Sequence, residues 1–486
     1  MRSGKSPAQH PLLYQLNARA LVAERERPLD EAVDEALLDR LVALGFRWVY
    51  ALGVWATGVA SREVSRADPG VRDAFAATHG RRAVDDDIAG SPFAVTEYRV
   101  HEPLGGDRSL ARLRARLHAR GLRLMVDFIP NHVALDHPWR ETHPEFFILD
   151  DDRYEGSSSD SGSRFAYGRD PYFEPWRDTL QLNYAEPRLV EAMIQIVAGL
   201  TDVADGVRCD MAMLQLPDVF AATWRREMAA PFWPRALEAA RRRAPAFAFL
   251  AEVYWGRDHE LQRLGFDYTY DKTLYDHLRG GDPAAVKRHL DVAVETQRRS
   301  ARFLENHDEP RAASVFTPLA RYRAAAALTF LVPGLRFFHD GQWEGRSHHH
   351  SIHLHRRAPE PTNDDIAAFY RDLLAVLARP VLRRGAWRRL EVHPAWSGNR
   401  SDAGFVAFSW HDEHDRILVA VNAAPHRGQG FVRFPFDGYA GRTVRLTDAL
   451  SDDRYLRDGD DLLRRGLYLD VPGHHVHVFD VAERTG

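Results

Sequence analysis

The stretch RFLENHDEPR, residues 302–311, opens on an apolar run and then presents Glu305, Asn306, His307, Asp308 and Glu309 in succession. Two readings compete: a solvated loop after a strand, or a strand end that carries catalysis. The rest of the chain decides between them by repetition. Short apolar runs recur at FRWVYAL (46–52), SPFAVTEY (91–98), GLRLMVDF (121–128), DGVRCDMA (205–212), FAFLAEVYW (247–255), FDYTYD (266–271), RFLENHD (302–308) and GLRFFHD (334–340). Helical patterns lie between most of them. In DRSLARLRARLHARG (107–121), Leu110, Leu113 and Leu117 fall on one helical face. Eight strands alternating with helices predict a (β/α)8 TIM barrel. An open doubly wound sheet would want a glycine-rich phosphate turn after its first strand. ALGVWATG (51–58) matches that poorly.

Spacing refines the barrel. Asp127 and Asp210 lie 210 − 127 = 83 residues apart, whereas one strand-helix unit takes roughly 30. The excess predicts an insert after the third strand, a lid subdomain over 133–183 containing the polar stretch EGSSSDSGSR (155–164). Past about residue 380 the pattern changes to alternating strands, RILVAVNAA (416–424), GFVRFPF (430–436), TVRLTDAL (443–450) and HHVHVFDV (474–481). These predict a C-terminal antiparallel β-sandwich. The expected division is a catalytic barrel over 1–380 and a sandwich domain over 381–486.

The 486 residues exceed one compact core. The balance of 65 basic and 69 acidic residues, net −4, gives no electrostatic case for nucleic acid or an acidic membrane as partner. Aromatics at 11% suit flat ligands such as sugar rings. A single cysteine, Cys209, permits no internal disulfide. With no run of 18 apolar residues, the expectation is a soluble, cytoplasmic protein of open oligomeric state.

In a barrel of this kind, polar residues at the C-terminal strand ends form the site. The third strand contributes Asp127, Asn131 and His132. The fourth contributes Arg208 and Asp210, two apart and therefore on one face. The fifth ends at Glu252 and the seventh at His307 and Asp308. One aspartate at a strand end reads equally well as a cap or ion-pair partner. Asp210, Glu252 and Asp308 with an arginine and two histidines on one rim carry a free-energy cost that function explains better. Paired carboxylates about a sugar bond are the machinery of glycoside hydrolysis. An arginine beside Asp210 favours its ionised form, as a nucleophile needs. An apolar approach to Glu252 suits a general acid.

The stretches DFIPNH, GVRCD, LAEVYW and ENHD resemble, in order and spacing, the four motif regions of the α-amylase family, glycoside hydrolase family 13. The likeness extends over nearly the whole chain. It implies retaining chemistry on α-glucosidic bonds. Asp210 matches the nucleophile, Glu252 the general acid/base and Asp308 the transition-state stabiliser. Arg208 matches the residue orienting the nucleophile, His132 and His307 those that bind the sugar in subsite −1, and Asp127 the aspartate of the first motif. DTLQLNYAEPRL (178–189), GLRFFHDGQWEG (334–345) and GSPFAVTEY (90–98) resemble the segment before strand four and the endings of strands eight and two. Phe93 falls where a ring stacks on the −1 sugar; a core phenylalanine is the alternative.

Departures bear on specificity. The Lys-His pair that follows the nucleophile in many amylases is Met213 and Leu214 here, so an apolar acceptor side is expected. Exo-acting glucosidases of the family often carry an aspartate where Gly90 stands. Asn131 matches a calcium ligand in many members. No cofactor is required by this reading, and a structural calcium is its one metal alternative. SHHHSIHLH (347–355) reads as a solvated loop, with metal binding as the alternative. Cys209 should point away from the catalytic face. RRRAP (241–245) reads as a basic helix end, and PAWSGNR (394–400) as either a glucan-binding or a packing surface. The expected function is hydrolysis of an α-linked oligosaccharide or polysaccharide through a glycosyl-enzyme. A transglycosylase on the same residues and a non-catalytic binding relative are the alternatives.

Overall fold

The computed structural model describes residues 10–149, 164–451 and 453–483. Eight parallel strands close into a barrel: β1 (Leu12–Asn17), β2 (Trp48–Leu52), β3 (Arg123–Phe128), β4 (Gly206–Cys209), β5 (Ala248–Ala251), β6 (Tyr268–Tyr270), β7 (Ser300–Phe303) and β8 (Leu335–His339). Almost every residue of these strands is buried. Strands covered on both faces read as continuous apolar runs, which is why the runs were legible as strands. Helices lie between them as expected. Gly106–Ala119, for example, buries Leu110, Leu113 and Leu117.

One expected strand is displaced and one was missed. The run 91–98 is not in the barrel. Val95–Val100 pairs antiparallel with Trp55–Thr57 in a separate two-stranded sheet. Its alternating exposure marks a ribbon with one wet face, unlike the buried strands. The first barrel strand is LLYQLN, all six residues buried, in register with β2 from Leu13↔Trp48 to Asn17↔Leu52. No turn residues separate it from the following helix. Asn17 ends the strand and caps the helix at once, its Oδ1 accepting from the N–H groups of Arg19 and Ala20, each at 3.1 Å. The sequence LLYQLNARALV therefore runs through two elements without punctuation.

Within the expected insert, His132–Ala134 pairs antiparallel with Thr179–Gln181, and a short helix spans Trp139–Thr142. The stretch EGSSSDSGSR lies outside the described residues except for Arg164.

The C-terminal strands form two antiparallel sheets. Six strands run in the order Ala386–Leu390, Phe405–His411, Arg416–Asn422, Val476–Glu483, Thr443–Asp448 and Arg454–Asp458. Three more run in the order Val392–Pro394, Gly428–Val432 and Leu467–Val471. Side chains from both sheets, including Leu418, Phe479, Val432 and Leu469, share one buried cluster, the core of a sandwich.

The chain divides into two compact units. One comprises 1–12, 271–347 and 360–486, the other 13–270 and 348–359. No described helix is long and apolar enough to cross a membrane.

Candidate active site

Register assembles the charged cluster. Asp127 on β3 is the direct partner of Arg208 on β4. Cys209 on β4 is the partner of Ala251 on β5, so Asp210 and Glu252, each one residue beyond, leave neighbouring strand ends together. Arg208 is the hub. Its Nη1 donates to Asp210 Oδ1 at 2.5 Å and its Nη2 contacts Glu252 Oε2 at 2.7 Å, with Asp127 Oδ1 3.9 Å from Nη1. All four groups are at most 5% exposed. Burial alone would lower the arginine's pKa. The surrounding anions, Glu252 foremost, reverse that and raise it well above its ordinary value.

Asp127 is held from two sides. Tyr50 Oη donates to Oδ1 at 2.5 Å and the Gly53 N–H donates to Oδ2 at 2.9 Å. Burial still pushes its pKa up to about 6, against the pull of Arg208 and these donors. Glu252 has both oxygens engaged. Oε2 accepts from the Met211 N–H at 2.8 Å, and Oε1 accepts from Tyr254 Oη at 2.8 Å. Met211 reaches this position with a left-handed φ of +43°. Only small polar residues and glycine adopt that region readily, so strain is stored directly after Asp210. The Cys209 side chain is fully buried and its thiol pKa is pushed far up by that burial. It is no nucleophile at neutral pH.

His132 stands at the start of its short strand with its ring 5.1 Å from Trp176. Burial lowers its pKa to about 4, so it is a neutral imidazole at pH 7. The neighbouring Asn131 carboxamide is bonded to amides. Gln181 Nε2 donates to its Oδ1 at 3.1 Å, Gln215 Nε2 does so at 3.3 Å, and Asn131 Nδ2 donates back to Gln181 Oε1 at 3.1 Å. Calcium asks for six to eight oxygen ligands. Amide N–H groups fill the place around Asn131 Oδ1, and among the described residues no group of three His, Cys, Asp or Glu is placed to hold a metal.

Phe93 is half-buried, and the Arg208 guanidinium lies 5.1 Å from its ring centre. The ring thus belongs to the charged cluster and is not a core residue remote from it. Met213 and Leu214 differ from expectation. They sit in a 3-10 turn at 0% and 3% exposure. Buried that deeply, they offer no surface to an acceptor. The His-rich stretch also differs from a solvated loop. Leu354 is buried and bridges to Ile88, and His353 Nδ1 lies 2.9 Å from Ser65 Oγ.

The turn after β7 is built by its own side chains. Asn306 Oδ1 accepts from the N–H groups of Asp308 at 2.9 Å and Glu309 at 2.8 Å. Glu305 is fully buried, accepting from Arg311 Nη1 at 2.6 Å and the Ala312 N–H at 2.7 Å. It therefore anchors the loop. His307 is buried with Nε2 3.1 Å from Asp308 Oδ2, and the Asp308 side chain is 40% exposed. Glu309 pairs with Lys272 at 3.2 Å.

Sequence reasoning missed Tyr50, Tyr254 and Met211. Tyr254 carried a usable signal, since a residue two beyond Glu252 returns to the same side of an extended chain. The left-handed turn at Met211 had none, because nothing about methionine announces that conformation.

The Alpha amylase, catalytic domain family matches residues 92–374. Alpha-amylase MalA of Haloarcula japonica is 26% identical over 353 residues, 70% of this chain and 45% of the relative. Alpha-1,4-glucan:maltose-1-phosphate maltosyltransferase of Cereibacter sphaeroides is 29% identical over 184 residues, 37% of this chain and 24% of the relative. The chain thus spans less than half the length of either. Among solved structures, the noncanonic maltogenic alpha-amylase AmyB of Thermotoga neapolitana superposes with a TM-score of 0.69 at 20% identity, covering 97% of this chain and 98% of that one. With Asp127, Asp210 and Glu252 gathered about Arg208 and the family matched over more than half its length, this chain belongs to the alpha-amylase family.

Proposed function

We propose that the protein is a retaining α-glycosidase acting on an α-linked oligosaccharide or polysaccharide. The observation that carries the reading is the shared guanidinium: Arg208 touches Asp210 at 2.5 Å and Glu252 at 2.7 Å. Carboxylates on two nitrogens of one arginine stand close. That supports the short separation of retaining enzymes, about 5–5.5 Å, over the gap of about 6.5–9.5 Å that admits a water in inverting ones.

Asp210 attacks the anomeric carbon while Glu252 gives a proton to the leaving oxygen. Glu252 then takes a proton from the acceptor as it attacks the glycosyl-enzyme. When Glu252 is protonated, Oε2 still accepts from Met211 and Arg208. The proton then sits on Oε1, toward which Tyr254 Oη turns its lone pair. Asp308 acts as the third carboxylate, stabilising positive charge on the sugar ring. Neutral His132, with His307, bonds its hydroxyls. Phe93 offers a ring face to the same sugar, and Asp127 fixes Arg208 from behind. A cytoplasmic location is part of the proposal, supported by one buried cysteine and no pairing partner for it.

Transfer to a sugar in place of water is the second reading, supported by the partial likeness to a maltosyltransferase. Incubation with maltooligosaccharides, read by chromatography and by NMR of the anomeric proton, separates the two. Shorter products released as the α-anomer mean hydrolysis with retention, and longer chains mean transfer. β-Anomeric products would overturn the retaining assignment.

A further inference from the structure

Two arginines beside the cluster differ from their neighbours. Arg66, Arg72, Arg81, Arg356 and Arg357 each meet a carboxylate, at 2.6 to 3.2 Å. Arg19 and Arg62 meet none among the described residues. Arg19 is 5% exposed and donates only to neutral oxygens: the carbonyls of Gly53, Trp55 and Gly90 and the Thr57 hydroxyl. Arg62 Nε is shielded from solvent and has no hydrogen-bond partner among the described residues. Two guanidinium charges with no carboxylate beside them leave positive potential that a ligand anion would compensate.

Gly90 ties the two together. It accepts from Arg19 Nη1 through its carbonyl, and its φ is +81°. A Cβ there would stand 2.9 Å from Arg62 Cα, so no side chain, an acidic one included, can come between them. Two histidines border the same place. The His101 N–H is bonded to Val54 O beside Gly53, and the His355 N–H to Asp87 O, two residues past the His353 carbonyl that accepts from Ala89 and Gly90. Neither imidazole makes a side-chain hydrogen bond among the described residues. Burial, with the charges of Arg19 and Arg62 behind it, lowers both pKa values, that of His101 to about 4. Asp127 acts on Arg19, and Asp68 and Asp178 on His353.

The geometry points to an oxyanion site on Arg62 beside Gly90, with His101 and His355 as further donors and Arg19 as fixed charge beneath, that binds a phosphate group. Gly90 is three residues from Phe93, whose ring faces Arg208, so the bound group lies next to the sugar site. The phosphate comes from one of two sources, a phosphorylated sugar substrate or free phosphate. The first rests on the glycosidase reading and the second does not.

Calorimetric titration of the whole protein with inorganic phosphate tests the site directly. In parallel, kcat/KM is compared for an α-glucoside and its 6-phosphorylated counterpart, in the wild type, Arg62→Gln and His355→Asn. Charge-assisted hydrogen bonds of this kind are worth about 10-fold or more each. Saturable phosphate binding that weakens about 10-fold in either variant is expected. A preference for the phosphorylated glucoside that falls by a similar factor assigns the site to the substrate. Binding of free phosphate without that preference assigns it to the free ion. Phosphate binding with no turnover of either sugar would sustain the site and sink the glycosidase reading. Turnover of the neutral glucoside with no phosphate binding and no preference would overturn the site and leave that reading intact. Unchanged phosphate affinity in both folded variants would overturn it as well.

Discussion

Arg208 on β4 and Arg302 on β7 are both 1% exposed, and both contact a buried aspartate. Their surroundings are opposite. Arg302 donates to the Asp271 carboxylate and to the neutral acceptors Pro333 O and Gln297 Oε1. Asp271 in turn has His289 at 2.9 Å and the Leu274 N–H at 3.0 Å. Burial alone would raise the pKa of Asp271, but Arg302 and His289 outweigh it and bring it down to about 2. Arg208 is divided among Asp210, Glu252 and Asp127, and its Nε has no hydrogen-bond partner among the described residues. Asp127 is pushed up to about 6. A buried charge that is fully paired holds a fold together. A buried charge shared by three acids crowds like charges around one cation, which is the condition of a site that expects a substrate.

The largest test of this contrast is Asp210→Asn. We expect kcat to fall by ~10⁴-fold or more with the thermal midpoint held or raised, since one of three crowded acids is removed. Equal turnover by the variant on every substrate would end the nucleophile assignment. Arg302→Met should do the reverse. Leaving Asp271 without its arginine should cost about 3–5 kcal/mol in urea melts, with kcat per folded molecule unchanged. Lost activity at unchanged stability would place Arg302 in the site.

Acid melts sharpen the comparison through the two aspartates. For Asp271, depressed from 3.8 to about 2, the stabilisation is complete above pH 3.8 and is lost as pH falls through 2, about 2 kcal/mol. For Asp127, raised from 3.8 to about 6, the contribution is present below pH 3.8 and is lost as pH rises through 6. Asp271→Asn should flatten the stability curve between pH 2 and 4, and Asp127→Asn between 4 and 6. Identical curves for the two variants would contradict the opposite shifts. The smallest effect is that of Tyr254→Phe. Removing the donor to Glu252 Oε1 should lower kcat about 5- to 10-fold, leave KM in place and move the basic limb of the pH–rate profile upward. A change in KM alone would make Tyr254 a substrate contact.

Most of the barrel was legible because its strands are buried on both faces and end in polar motifs. What failed was punctuation: β1 flows into its helix at Asn17, and the ribbon strand Val95–Val100 was read as a barrel strand from its position in the series. The carboxylates and Arg208 were legible from strand ends plus period two. Their supports were not, since a hydrogen bond from Tyr50 to Asp127 joins residues 77 apart. The burial of Met213 and Leu214 depends on how a turn folds back, and composition carries no trace of it.

The start of the chain is sewn to β8. His10 Nδ1 accepts from the Gly334 N–H at 3.0 Å, Pro11 O accepts from the Arg336 N–H at 2.8 Å, and Arg336 Nη1 donates to His10 O across 326 positions of sequence. During synthesis at about 5–20 residues per second, the first stitch therefore waits roughly 16–65 s for its partner to be made. Through that interval the leading strand has one edge without its final neighbour. An edge left open for that time presents unpaired N–H and C=O groups on which another chain can pair.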